Sequence, residues 1–102
     1  MVCKITWLPR ALKTYVSNIE YLEAVWTEKE IKTFINLTEK KIENISSHPN
    51  IGRATNKSNR NIRLTLIHKR VALIYRYIRS RNEIELMVFW NTYQNSGKMK
   101  LK

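Results

Sequence analysis

Apolar and polar positions change period several times along this chain, and each change marks a predicted element. Residues 2–7, VCKITW, alternate apolar Cys3, Ile5 and Trp7 with polar Lys4 and Thr6, the period of a short strand with one buried face. Pro9 follows, well placed in a helix's first turn, where its missing N–H costs nothing. From there to residue 26, Leu12, Tyr15, Val16, Ile19, Leu22 and Trp26 recur at helical spacing. Thr27-Glu28-Lys29-Glu30 matches a capping box, in which the threonine caps a new helix and Glu30 bonds back. Ile31, Phe34, Ile35, Ile42 and Ile45 form the stripe of that second helix, which Pro49 stops, and Asn50-Ile51-Gly52 reads as a turn. With almost no loop between them the two helices form a hairpin, and their apolar stripe needs a sheet to cover.

The next stretch, RATNKSNR (53–60), is polar and aperiodic and predicts a loop. Three strands follow. NIRLTLI (61–67) points Ile62, Leu64 and Leu66 one way and Arg63 and Thr65 the other. RVALIYRYI (70–78) is apolar on both faces, as a central strand would be, and EIELMVFW (83–90) puts Ile84, Leu86, Val88 and Trp90 on one face. A turn at Ser80-Arg81-Asn82 makes the last pair a hairpin. The order is β-α-α-β-β-β, an α+β single domain over residues 1–102 with both helices on one sheet face. The other face then carries Arg63 and part of the 70–78 strand into a shallow basic groove. The pattern leaves the face of Arg76 open, because its neighbours are apolar on both sides.

Composition narrows the class. Hydrophobic residues make up 43% and charged residues 26%, which suits a globular chain and not a disordered one. No apolar run nears the roughly 18 residues of a membrane span, and Lys4 interrupts any signal pattern at the start. One cysteine, Cys3, and two histidines, His48 and His68, supply neither a disulfide nor a zinc set. A reducing cytoplasm is the expected location, with no cofactor, no metal, no membrane and no small-molecule substrate.

Charge changes the picture more. The net charge is +11, and every acid is a glutamate. Residues 1–51 hold seven Lys/Arg against six Glu, whereas residues 52–102 hold twelve against two, Glu83 and Glu85. A half this basic is the footprint of a nucleic-acid or acidic-protein partner.

Most enzyme classes lack their residues. Gly52 and Gly97 are the only glycines, too few for a phosphate-cradling loop. Without aspartate, and with glutamates mostly at lysine-pairing positions on helices, no carboxylate cluster for a metal nuclease is expected. His48, before a helix-ending proline, and His68, at a strand end, read as turn or surface histidines. One catalytic route stays open: metal-free RNA cleavage needs only placed cations and a proton carrier. Arg63, Lys69, Arg70, Arg76, Arg79, Tyr77, Tyr93 and Lys98 are of the right types. Tyr75, Tyr77, Trp90 and Tyr93, interleaved with these cations, would either stack on bases or fill the core.

Across nearly its whole length the chain resembles toxins of the bacterial RelE/ParE superfamily, the toxic half of type II toxin–antitoxin pairs. The resemblance rests on ITWLPRAL, NIEYLEAVW, HPNIG, NIRLTLIHKRVALIYRYI and VFWNTYQN, in that order. It implies a helical hairpin packed on one face of a four-stranded, mainly antiparallel sheet. It also implies an acidic antitoxin partner that folds onto the toxin. RelE-like members are ribosome-dependent mRNA endoribonucleases; ParE-like members bind DNA gyrase and trap its cleaved DNA. Where RelE-like toxins show Arg-x-x-Tyr, this chain reads Ala72-Leu73-Ile74-Tyr75; their paired lysines become Asn61 and Arg63; their Gly-Lys-Arg ending becomes Asn91-Thr92-Tyr93. These departures favour the ParE-like branch, a gyrase inhibitor and not an enzyme. The ribonuclease is the alternative, with Arg63, Arg70, Arg76, Tyr93 and Lys98 as its candidate catalytic residues and the ribosome and mRNA as its partners. On either branch the target or antitoxin would meet Arg63, Lys69, Arg70, Arg76, Tyr77, Arg79, Trp90, Tyr93 and Lys98. A plain nucleic-acid-binding module is a third reading, which salt-dependent binding without growth arrest would mark.

Overall fold

The structure, a computed structural model, describes residues 2–24, 26–55, 61–68 and 71–91. Strand β1 (Lys4–Trp7) leads into helix α1 (Pro9–Glu23) and helix α2 (Glu28–Ser47). Four more strands follow: β2 (Arg53–Ala54), β3 (Ile62–His68), β4 (Val71–Ile78) and β5 (Glu83–Asn91). They form one five-stranded sheet in the order β1-β5-β4-β3-β2. Only the β1–β5 pair is parallel; β2, β3, β4 and β5 pair antiparallel in turn. The α+β class and the helical hairpin are as expected. The fifth strand is not: two residues of the predicted 53–60 loop pair with β3.

Local chemistry explains the element ends. Pro9 starts α1. That helix stops at Glu23, three residues before the periodic pattern does, and Trp26 packs against the core from outside the helix. The capping box forms as expected: Glu30 N donates to Thr27 Oγ1 at 3.3 Å and Thr27 N donates to Glu30 Oε1 at 3.1 Å. Between β4 and β5 the chain makes one 3-10 turn (Arg79–Arg81), and Asn82 takes the left-handed conformation at φ 49°. Asn is among the few residues that accept it cheaply.

The core lies between sheet and helices, built from Leu22, Phe34, Ile45, Val71, Leu73, Tyr75, Ile84, Leu86 and Phe89. Burying each of these large side chains is worth about 1.5–3 kcal/mol. Trp7 stacks on Phe89 at 5.5 Å, and Tyr15 meets Trp7, Phe89 and Phe34 at 5.0–6.0 Å. β1 covers β5 only as far as Leu86, whose carbonyl accepts from Leu8 N at 3.1 Å. Beyond it, α1 side chains do a strand's work: Phe89 N donates to Thr14 Oγ1 at 2.9 Å, and Asn18 Nδ2 donates to Phe89 O at 3.0 Å.

Two register shifts decide which residues face the helices. Tyr75 pairs with Leu86 and Ile74 with Val88, so Met87 is an extra residue in β5. Ile84 and Leu86 therefore face the helices, but Val88 and Trp90 lie opposite Ile74 and Ala72 on the open face, away from the helices, where Ala72, Ile74 and Val88 are nevertheless buried. Strict alternation had put all four on one side. A second bulge, between Leu66 and His68, makes Ile67 the extra residue of β3 and turns it into the core.

Candidate functional site

The predicted basic groove is absent from the open face among the described residues. Arg63 is paired with Tyr75, and Tyr75 is in the core, so Arg63 sits on the helix side. There its Nη1 donates to Gly52 O at 2.6 Å and to Asn50 O at 3.2 Å. The expectation that Arg63 faces the open side is corrected: the turn after α2 lies over the sheet edge and brings the Asn50 and Gly52 carbonyls within reach of the Arg63 guanidinium. Ile62, Leu64 and Leu66 take the open face instead, opposite Arg76, Ile74 and Ala72.

Tyr75 completes this clamp. Its buried hydroxyl donates to Pro49 O at 2.9 Å and accepts from Gly52 N at 2.9 Å. Burial pushes its pKa up; the Gly52 N–H and the Arg63 charge offset this in part. Gly52 is required here, because a Cβ would lie 2.6 Å from the Tyr75 hydroxyl oxygen.

The open face carries a charged corner at one end and Arg53, in register with Leu64, at the β2 edge. Arg76 lies in that corner, opposite Glu85. Its Nε donates to Glu85 Oε1 at 2.9 Å and its Nη2 donates to the same oxygen. Next to them Arg81 Nε donates to Glu83 Oε1 at 3.0 Å, and Thr6 Oγ1 donates to Glu83 Oε2 at 2.6 Å. The Thr6 hydroxyl, followed by Arg81, holds the Glu83 carboxyl below its ordinary pKa. The only two acids of the basic half are thus spent on neutralising this corner.

The remaining candidates scatter. Tyr77 is turned to the helix side, half-buried against the core, and so offers no stacking face on the open side. Trp90 is half-buried on the open face beside Ala72. Arg79 is exposed in the turn. Lys69, Arg70, Tyr93 and Lys98 lie outside the described residues. His48 caps the C-terminus of α2, and His68 meets Trp26 edge-to-face at 4.7 Å. Among the described residues no group of His, Cys, Asp or Glu is placed to hold a metal.

A different place stands out. An open cleft of about 460 Å³ at the β3 edge is lined by Lys41, Ile51, Arg53, Leu64, Thr65 and Leu66. Sequence reasoning missed it, because it depends on β2 ending after two residues.

No protein-family model matches the sequence, and no curated protein does either. Solved structures do match. One, a free-state double arginine-to-alanine mutant of the E. coli toxin RelE, gives a TM-score of 0.63 at 14% identity, covering 92% of this chain and 87% of that one. The chain therefore has the RelE-like α+β fold.

Proposed function

We propose that this protein is the toxin of a bacterial type II toxin–antitoxin pair, acting in the cytoplasm on DNA gyrase in the ParE-like manner and neutralised by an acidic antitoxin. The fold it shares with the toxin RelE supports the toxin reading, as does a second half with twelve cations against two acids.

The observation that carries the choice of target is the fate of the arginines. Cleaving RNA without a metal requires cations free to stabilise charge as it develops on the phosphate. Of the candidate cations that the structure describes, Arg76 is tied to Glu85 and Arg63 is spent on backbone carbonyls behind the sheet; Arg53, in register with Leu64, lies on the open face at the β2 edge. Ala72, Ile74 and Leu64 occupy the middle of that face. Losing one such cation costs a nuclease orders of magnitude; a protein-binding poison is not bound to that set.

The test is induced expression in bacterial cells with mapping of mRNA 5′ ends. Growth arrest with intact messages is expected, relieved by co-expressing a small acidic protein encoded beside this one. New ends clustered within codons of translated messages would replace gyrase by the ribosome. Absence of arrest would overturn the toxin reading in favour of a binding module.

A further inference from the structure

Charge gathers where β1, β4 and the β4–β5 turn meet. Arg76 on β4 and Lys4 on β1 flank β5, where Glu85 and Glu83 are their register partners. The turn adds Arg79 and Arg81. Arg76 donates to Glu85 Oε1 through Nε and Nη2, and Arg81 donates to Glu83 Oε1 through Nε. Among the described residues neither arginine has a hydrogen bond from Nη1, and the exposed side chains of Arg79 and Lys4 have neither a hydrogen bond nor an ion pair. The Arg76 and Arg81 side chains are 43% and 60% exposed, against 13% and 14% for Glu85 and Glu83. The acids therefore lie underneath and the cations face water. Asn82 fixes the turn: its N–H donates to Arg79 O at 3.2 Å, its carbonyl accepts from Lys4 N at 3.0 Å, and its Oδ1 accepts from Cys3 Sγ at 3.2 Å.

Four cations over two acids leave this corner positive. Two of the four are already held by a carboxylate, so less side-chain freedom remains to be lost when an anion arrives. Holding a phosphate that is charged from the start also asks less of a cation than stabilising charge as it develops, so the corner can bind where it cannot cleave. A protein partner would find little else here. Arg76 to Glu85 contribute none of the exposed large apolar side chains that anchor protein interfaces. The same corner of a second copy would set cation against cation, which costs energy. A nucleic-acid backbone needs only spaced positive charges. Lys4 and Arg76 stand two strand spacings apart, about 10 Å, which suits a run of phosphates better than a single small anion.

We infer that the corner formed by Lys4, Arg76, Arg79 and Arg81 binds the phosphodiester backbone of a nucleic acid. Its contacts are to phosphates, so it holds the strand without reading its sequence. Under the gyrase reading the strand is the DNA that gyrase holds; the phosphate chemistry stands without that reading.

The test uses the purified full-length protein and a short fluorescein-labelled duplex DNA, with fluorescence anisotropy followed over a series of salt concentrations. Each phosphate contact removed is expected to lower the slope of log affinity against log salt by about 0.9. Arg79→Gln and Lys4→Gln, both at exposed positions, should each do so, with affinity roughly eightfold lower at about 0.1 M salt. Arg81→Gln should weaken binding further, since it also bares the Glu83 carboxylate to the phosphates. Lys13→Gln is the same charge change on α1, whose Thr14 and Asn18 bond to Phe89 at the far end of β5, and is expected to leave the slope unchanged. Single-stranded RNA should respond to the same variants by about 0.7 per contact. An equal fall in slope for Lys13→Gln would overturn the proposal, as would an unchanged slope for Arg79→Gln and Lys4→Gln. Vesicles of phosphatidylglycerol present the other source of phosphodiester. Loss of vesicle binding by the corner variants, with DNA binding intact, would give the corner to a lipid surface and end the proposal. Binding is read without cells, so the expected slopes with no growth arrest would keep this site and sink the toxin reading. Arrest with unchanged slopes would do the reverse.

Discussion

Removing one oxygen, by Tyr75→Phe, tests whether the clamp under the α2–β2 turn holds the sheet edge in place. The phenol donates to Pro49 O and accepts from Gly52 N, both at 2.9 Å. A net hydrogen bond contributes about 1 kcal/mol, and a buried donor left unpaired costs about 1–3 kcal/mol. Pro49 is half-buried and its carbonyl can regain water, whereas Gly52 is buried and its N–H cannot. The expected loss is therefore about 2 kcal/mol, dominated by the orphaned Gly52 N–H. For a domain near 100 residues that lowers Tm by roughly 8–16 °C. Urea unfolding at unchanged m-value measures it directly. Gly52→Ala sharpens the test, since its Cβ would meet the hydroxyl oxygen at 2.6 Å, Tyr75 Cε1 at 2.9 Å and Arg63 Cβ at 3.1 Å. Overpacking of this kind costs about 1–3 kcal/mol. Removing the hydroxyl relieves the closest of the three contacts, so the double variant should lose less than the sum, with a coupling of about 0.5–1 kcal/mol. Tyr75→Phe within 0.5 kcal/mol of the parent, roughly the scatter of a neutral surface change, would refute the clamp. Strict additivity with Gly52→Ala would do the same.

Thr27→Ala removes the hydroxyl that accepts from Glu30 N and leaves the Thr27 N–H bond to Glu30 Oε1 in place; it should cost about 1 kcal/mol, visible as a Tm loss of roughly 4–8 °C; Thr27→Ser should retain most of the stability. Glu83→Gln tests the charged corner through pH. Because Thr6 and Arg81 hold its folded pKa down, the carboxylate stabilises the fold fully above the ordinary glutamate pKa, and this is lost as pH falls through the lowered folded value. The Tm gap between parent and Glu83→Gln should accordingly be present at neutral pH and close in acid. A gap that is constant with pH would show that the ionised form is not what matters.

Much of the fold was legible because its signals are local. Pro9, the Thr27–Glu30 box and Pro49 each fix a helix end through atoms only a few residues apart. The faces of the strands were not legible beyond the bulges. Period-2 reading placed Val88 and Trp90 beside Leu86, and a single extra residue at Met87 turned them over, as any one-residue slip must. Arg63 went astray for another reason. A cation among alternating apolar residues reads as solvent-facing, but its partners are the carbonyls of Asn50 and Gly52 in a turn brought over the sheet edge. The same turn fixes how short β2 is, and so creates a cleft that no local pattern announces. Glu85 gave no sign of pairing Arg76, because the pair forms only across two strands in the observed register.

The measurement closest to the central claim is a plasmid supercoiling reaction with purified DNA gyrase and this protein. Gyrase is expected to be inhibited, with linear DNA accumulating when the reaction is quenched with detergent and protease, and the acidic antitoxin is expected to abolish the effect. Undisturbed supercoiling, together with cleavage of mRNA in a purified translation reaction, would contradict that claim.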